Sequence, residues 1–293
     1  MDPRTKVLLF KSLATVIERL PERVDVAGAR WAARVIGSRS PSRAHLEKNL
    51  ARVLAGDAPI DPLVLERYVR RGFAHYGQYW AEGAKLPALG RDAITRRFRI
   101  AEGLEHLEDA FARGRGVVVA LPHIGSWEWG GSYISTLGMP MTAVAEELEP
   151  ADLFDWFKAK RESIGIHVEG LNAQASGRLL QVLRDGGVVG LLCDRDIQGG
   201  GIEVDFFSRR VTLPGGPATL ALRSGAALVA AACYMGPGDD HFAVVTPPLP
   251  VERTGRLRDD VTRLTQMVAH ELEDLIRRAP EQWHVLEDRF EAT

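Results

Sequence analysis

Val117-Val118-Val119-Ala120-Leu121-Pro122-His123-Ile124-Gly125-Ser126-Trp127-Glu128 is the stretch on which the fold turns. Five apolar residues read as a short buried strand. Pro122 and His123 end it, and a Gly-Ser turn leads into a helix near 126–136. Strand, turn and helix in that order are the unit of an α/β fold. Further apolar runs at 142–145, 188–193, 227–235 and 242–246 alternate with helical patterns at 151–164, 176–185, 216–224 and 259–278. Together they predict a mostly parallel central sheet flanked by helices. In such sheets ligand chemistry collects at the carboxyl ends of the strands, which points to His123 and Asp194.

Upstream the character differs. Residues 5–36 carry apolar positions at helical spacing (Val7, Phe10, Leu13, Val16, Ile17, then Val24, Trp31, Val35), interrupted by Pro21 and stopped by Gly37. They read as two amphipathic helices. Residues 43–55, 61–84 and 102–113 continue the helical pattern, with Pro87 and Gly90 as a stop. The expected organisation is a helical region over 1–113 joined to an α/β core over 114–293 as one integrated domain. Residues 1–100 hold 19 Lys and Arg against 10 acids, and the remainder 18 against 29, so a net charge of −2 conceals a basic third beside an acidic body. A basic amphipathic helix suits an anionic membrane surface; an Arg-rich solvated helix face is the plainer alternative.

With 45% hydrophobic and 26% charged residues, the composition is that of a globular protein and excludes a disordered chain. Cys193 and Cys233 lie within apolar runs, which argues against a disulfide framework or a cysteine metal site. No apolar run approaches ~20 residues, and the opening lacks a secretory pattern, so the expected location is cytoplasmic. Walker, Rossmann, nucleophile-elbow and zincin motifs are missing, and no nucleic-acid module stands behind the basic third. No cofactor and no metal are expected.

Four constellations remain. His123 with Glu128 five positions on places an imidazole at a strand end beside a helix start. There it can take a proton near neutral pH, while the amides of Gly125, Ser126 and Trp127 face a developing oxyanion. A histidine satisfied by backbone at a strand end fits the same pattern. Asp194-Arg195-Asp196 follows the run at 188–193; these residues either orient His123 or form a structural ion-pair cluster. Glu146 with Arg161 is a site pair or a surface bridge. The polar segment from Asp205 to Pro217, carrying Arg209 and Arg210, reads as a loop that grips a phosphate or shapes a pocket, or merely connects.

Leu121 to Glu128 resembles the His-x-x-x-x-acid motif of the lysophospholipid acyltransferase superfamily. The aromatic residue before the acid is similar to the branch holding the lipid A late acyltransferases and the phosphatidylinositol mannoside acyltransferases. The likeness extends to Lys48–Leu54, Tyr76–Trp80, Val144–Glu146, Arg161–Gly165, Val204–Phe207 and Trp283-His284. It implies acyl-CoA as donor substrate and, as acceptor, the 6-hydroxyl of a mannose on a phosphatidylinositol mannoside glycolipid. It also implies a peripheral position on the cytoplasmic face of the plasma membrane. His123 matches the catalytic base, Glu128 the motif acid, and Asp194 the position of an acid paired with the histidine. Glu146 and Arg161, with Arg195, Arg209 and Arg210, are the expected substrate-binding set. The phosphatidylinositol mannoside acyltransferases carry Asp at the position of Glu128 and Glu at that of Asp194, and the first of these swaps resembles the lipid A acyltransferases. Each swap alters reach by one methylene, so both carboxylates remain candidates for the imidazole.

Overall fold

The computed structural model describes residues 11–290, apart from 13, 17, 18, 20, 148 and 198. The helix expected before Pro21 falls largely outside the described residues. The helices α1 (Glu22–Gly37), α2 (Ser42–Ala55) and α3 (Pro62–Arg97) lead into β1 (Phe98–Glu102), α4 (Leu104–Ala112), β2 (Val117–Leu121) and α5 (Trp127–Thr136). Next come β3 (Met141–Ala145), α6 (Ala151–Glu162), β4 (Ile166–Gly170), α7 (Ala175–Arg184) and β5 (Val188–Leu192). The chain finishes with β6 (Ile202–Phe206), β7 (Arg209–Leu213), α8 (Gly216–Ser224), β8 (Ala227–Met235), β9 (His241–Val245) and α9 (Leu257–Arg278).

The expected α/β architecture is observed. Seven strands form one sheet in the order β1-β9-β8-β2-β5-β3-β4, parallel throughout except for the antiparallel β8–β9 pair. β2 lies at its centre and is buried at every residue. Val118 and Ala120 pack with the residues of α7, α8 and α9, whereas Val117, Val119 and Leu121 pack with those of α4 and α5. A strand covered on both faces needs no polar alternation, which explains the unbroken apolar run.

α3 begins at Asp61, whose carboxylate caps the Leu63 amide at 2.8 Å, with Pro62 in the first turn. The stop expected at Pro87 and Gly90 is a kink. Gly90 takes φ 74° and ψ 165°, after which the helix resumes to Arg97. Strand β1 was not legible in the sequence; it is an edge strand with only Phe98 buried, and it pairs with β9 in the main sheet. Edge strand β4 was missed as well.

The polar segment from Asp205 onward is mostly a β-hairpin rather than a loop. Val204, Phe206, Val211 and Leu213 are buried, while Glu203, Asp205, Arg209 and Arg210 are exposed. Positive φ at Phe207 (48°) and Ser208 (60°) closes it with the backbone of a tight hairpin turn. The helical part is tied to the core by fully buried Asn49 on α2. Its amide donates to the carbonyls of Val285 and Glu287, and its oxygen accepts from the Arg289 amide. Among the described residues no helix is long and apolar enough to cross a membrane.

Candidate active site

Register brings His123 and Asp194 together. β2 and β5 are parallel neighbours with Leu121 opposite Leu192, so the residue two beyond each strand end meets its counterpart across the sheet edge. The His123 Nδ1 lies 2.5 Å from Asp194 Oδ1, and the His123 main-chain N–H donates to Oδ2 at 3.0 Å. Trp283 Nε1–H donates to the same Oδ2 at 2.7 Å, and Arg289 donates to the Asp194 carbonyl at 2.6 Å. Burial alone would raise the Asp194 carboxyl. The facing imidazole and the hydrogen bonds from His123 and Trp283 outweigh it and hold the acid well below the ordinary carboxylate range. An ionised acid at Nδ1 selects the tautomer with its proton there and leaves Nε2 as the basic nitrogen.

Glu128 does not reach His123. Its Oε1 accepts from the Tyr79 hydroxyl at 3.1 Å and from Arg161 at 3.2 Å. Arg161 in turn lies over the Trp127 ring, 5.0 Å from its centroid. Of the two carboxylates left open by the sequence, Asp194 pairs with His123. The motif acid, in the first turn of α5, ties that helix to α3 and α6.

The backbone between them is clamped. Gly125 has φ +56°, and a Cβ there would lie 1.9 Å from the Cys233 carbonyl oxygen. Its amide donates to the Gln282 carbonyl at 3.0 Å, so it is not a free oxyanion donor. The amides of Ser126 and Trp127 open α5 ahead of the Trp129 amide, which donates back to the Ser126 carbonyl at 3.1 Å. Ser126 stands at the cap position, yet its hydroxyl turns away to Glu82 at 2.8 Å. From the other side, the His284 amide donates to the His123 carbonyl at 2.7 Å and its ring Nε2 to the Gly125 carbonyl at 3.0 Å. Burial in the cavity wall lowers His284 to about 3, which keeps its ring neutral.

His123 and Gly125 border a cavity of about 810 Å³. On α3 and α6 its wall is aromatic, with Tyr76, Tyr79, Trp80 and Phe157; on β5, α7 and α8 it is aliphatic, with Leu179, Leu180, Leu191 and Leu220. Glu146, Arg161 and Arg195 also line it. Arg195 pairs with Glu287 at 3.3 Å. Arg209 and Arg210 do not border it: they stand on the hairpin surface, paired with Asp57 (2.9 Å) and with Glu203 (3.6 Å) and Asp205 (3.5 Å). Arg210 is on the outward face of the hairpin and Arg209 is exposed beside its turn, so neither grips a phosphate within the cavity. Sequence reasoning gave Tyr79, Glu82, Trp283 and His284 no role. Trp283-His284 and Tyr79 stood out only within stretches of the family likeness, and Glu82 only as one position of the helix expected over 61–84.

Burial raises both cysteine thiols, Cys233 up to about 12, so neither is an activated nucleophile. A histidine base with a buried acid behind it, a helix start beside it and an aliphatic cavity around it are the parts of direct acyl transfer to a hydroxyl. These features define an acyltransferase.

Comparison with known proteins agrees. The model of the bacterial lipid A biosynthesis acyltransferases matches residues 5–292, and the chain belongs to that family. It is 35% identical over 276 residues to a phosphatidylinositol mannoside acyltransferase of Mycolicibacterium smegmatis, covering 93% of this chain and 86% of that one. The corresponding protein of Mycobacterium tuberculosis is 36% identical over 270 residues, 90% of this chain and 80% of its own. A lipid A biosynthesis acyltransferase of Haemophilus influenzae is 27% identical over 223 residues, 74% of this chain and 67% of its own. An acyl donor and a lipid acceptor follow from the family.

Proposed function

We propose that the protein moves a fatty acyl chain from acyl-CoA to a mannose 6-hydroxyl of a phosphatidylinositol mannoside. The observation that carries this reading is the His123–Asp194 pair on a cavity with one aromatic and one aliphatic wall. Nε2 of His123 takes the proton of the acceptor hydroxyl as its oxygen attacks the thioester carbonyl. A C–O bond forms, and the oxyanion faces the amides of Ser126 and Trp127. Collapse breaks the C–S bond, and the imidazolium returns its proton to the leaving thiolate. The leucines of the aliphatic wall hold the acyl chain, each buried methylene contributing about 0.8 kcal/mol. Tyr76 and Trp80 offer faces to a sugar ring, Glu146 accepts from sugar hydroxyls, and Arg161 and Arg195 meet phosphate.

The identities to mannoside acyltransferases support this acceptor over a lipid A precursor. Glu128, where that branch carries Asp, favours the alternative. Mass spectrometry of products from labelled palmitoyl-CoA with each acceptor in turn decides between them. Product with the lipid A precursor alone would overturn the mannoside assignment.

The reading includes attachment to the cytoplasmic face of the plasma membrane through the basic amino-terminal helices. Exposed Val24, Trp31 and Ile36 on α1, beside Arg30 and Arg34, support it. The paired change Trp31→Ser and Ile36→Ser is expected to weaken sedimentation with anionic vesicles. Unchanged binding would assign these residues another role.

A further inference from the structure

Behind the catalytic loop lies a buried polar cluster that the reaction scheme does not use. Glu82 on α3 is 5% exposed, His241 at the start of β9 is 1%, Ser126 is 3% and Gln78 is 3%. One oxygen of Glu82 accepts from Ser126 Oγ–H at 2.8 Å and contacts His241 Nε2 at 2.9 Å. The other accepts from Gln78 at 2.6 Å, and Gln78 itself accepts from Arg30 of α1 at 3.1 Å. The His241 ring stacks on Trp129 of α5, centroids 4.3 Å apart and planes 11° apart.

Two features set this cluster apart from ordinary packing. A buried carboxylate is held at a desolvation cost that well-packed apolar side chains would avoid, so it is weak as a stabilising device. Burial would raise Glu82, but the His241, Gln78 and Ser126 hydrogen bonds prevail and lower it, so it stays charged. In addition, a serine at a helix cap normally turns its hydroxyl to an amide of its own first turn. Ser126 makes no such bond and is held from α3 instead.

We propose that Glu82 is a positioning residue: by holding the Ser126 hydroxyl it fixes the Ser126 and Trp127 amides where the oxyanion forms. With Gly125 pinned by Gln282 and His284, the loop after His123 is gripped from two sides. The inference rests on the reading of those amides as oxyanion donors. Removing such a donor costs 10²–10³ in turnover, and displacing one costs less. Glu82→Gln and Ser126→Ala are each expected to lower kcat by between about tenfold and a hundredfold. KM for the donor stays within about twofold, because the acyl and CoA contacts are untouched. The double variant falls no further than the worse single one, since Ser126→Ala already removes the hydrogen bond through which Glu82 acts.

The experiment is palmitoyl-CoA turnover in the full-length chain, followed by thiol release with phosphatidylinositol mannoside vesicles present. It is run for the wild type, the three variants and His123→Ala, alongside amide hydrogen exchange of the peptide spanning 122–130. Lost kcat with faster exchange in that peptide and near-native thermal midpoints supports the proposal. Full turnover or unchanged exchange in Ser126→Ala, with His123→Ala inactive, overturns it. If Glu82→Gln fails to fold, Ser126→Ala decides alone, because it keeps the Glu82–His241 contact. If His123→Ala keeps wild-type turnover, the acyl-transfer reading itself falls, and this inference with it.

Discussion

Both oxygens of Asp194 serve His123: Oδ1 meets the ring Nδ1 at 2.5 Å and Oδ2 accepts the main-chain N–H at 3.0 Å. One buried acid therefore sets both the tautomer of the base and the place of its backbone. Asp194→Asn keeps the volume but offers one oxygen and an amide in place of two acceptors. The expected loss in kcat is three to four orders of magnitude, about that seen when a serine hydrolase loses its orienting acid. Steady-state kinetics on a variant with native circular dichroism checks it, and a loss below tenfold would remove Asp194 as the orienting group.

Glu128→Gln should separate from that result. The carboxyl holds Tyr79 and Arg161 rather than the base, so turnover is expected to fall by about tenfold or less, with the larger effect on stability. Arg161 loses its opposing charge in a largely buried place, a kind of change costing about 3 kcal/mol. Thermal or urea unfolding beside kinetics reads both quantities. A kcat loss equal to that of Asp194→Asn would contradict the division of roles.

Gly125→Ala is expected to abolish activity and to destabilise the fold by about 3 kcal/mol or more. The added methyl would lie 1.9 Å from the Cys233 carbonyl, at a φ of +56° that side chains resist. Backbone must move, and the amides of Ser126 and Trp127 move with it. Soluble yield, denaturation midpoint and turnover together test this; a variant with wild-type stability and activity would refute the clamp.

The pH dependence of stability carries a histidine signature. Burial lowers His284 from 6.5 to about 3, so between those values the unfolded chain binds a proton that the native one does not. Stability is then complete above about pH 6.5 and falls as the pH drops toward 3. Half-buried His75 is lowered too, chiefly by desolvation, and acts in the same direction. Asp194, depressed in the native state, adds its own loss only below its unfolded value near 3.8. His284→Gln keeps a donor for the Gly125 carbonyl without titrating, and should flatten the fall in melting temperature between pH 6.5 and 4. Parallel curves for variant and wild type would show that His284 is not the group responsible.

Much was determined by local pattern. Val117–Leu121 is apolar because β2 is covered on both faces, and that run with the turn after it announced a parallel sheet, its carboxyl edge and His123. The long helices were legible from their periodicity, and family motifs supplied the acyl-transfer chemistry. Edge strand β1 buries only Phe98, β4 alternates buried Ile166 and Val168 with His167 and Glu169 and so lacks an unbroken apolar run, and the hairpin of β6 and β7 was masked by its outward charges. Only the tertiary structure decided which acid serves His123. That choice depends on β2 lying beside β5 in register, which brings together residues 71 positions apart, whereas Glu128 is near in sequence but on a helix that carries it toward Arg161. The same holds for Glu82, Trp283 and His284, which act on the catalytic loop across distances in the chain that local periodicity does not encode. Side-chain type and spacing determine which elements form; the pairing of strands and the packing of helices determine which polar atoms meet.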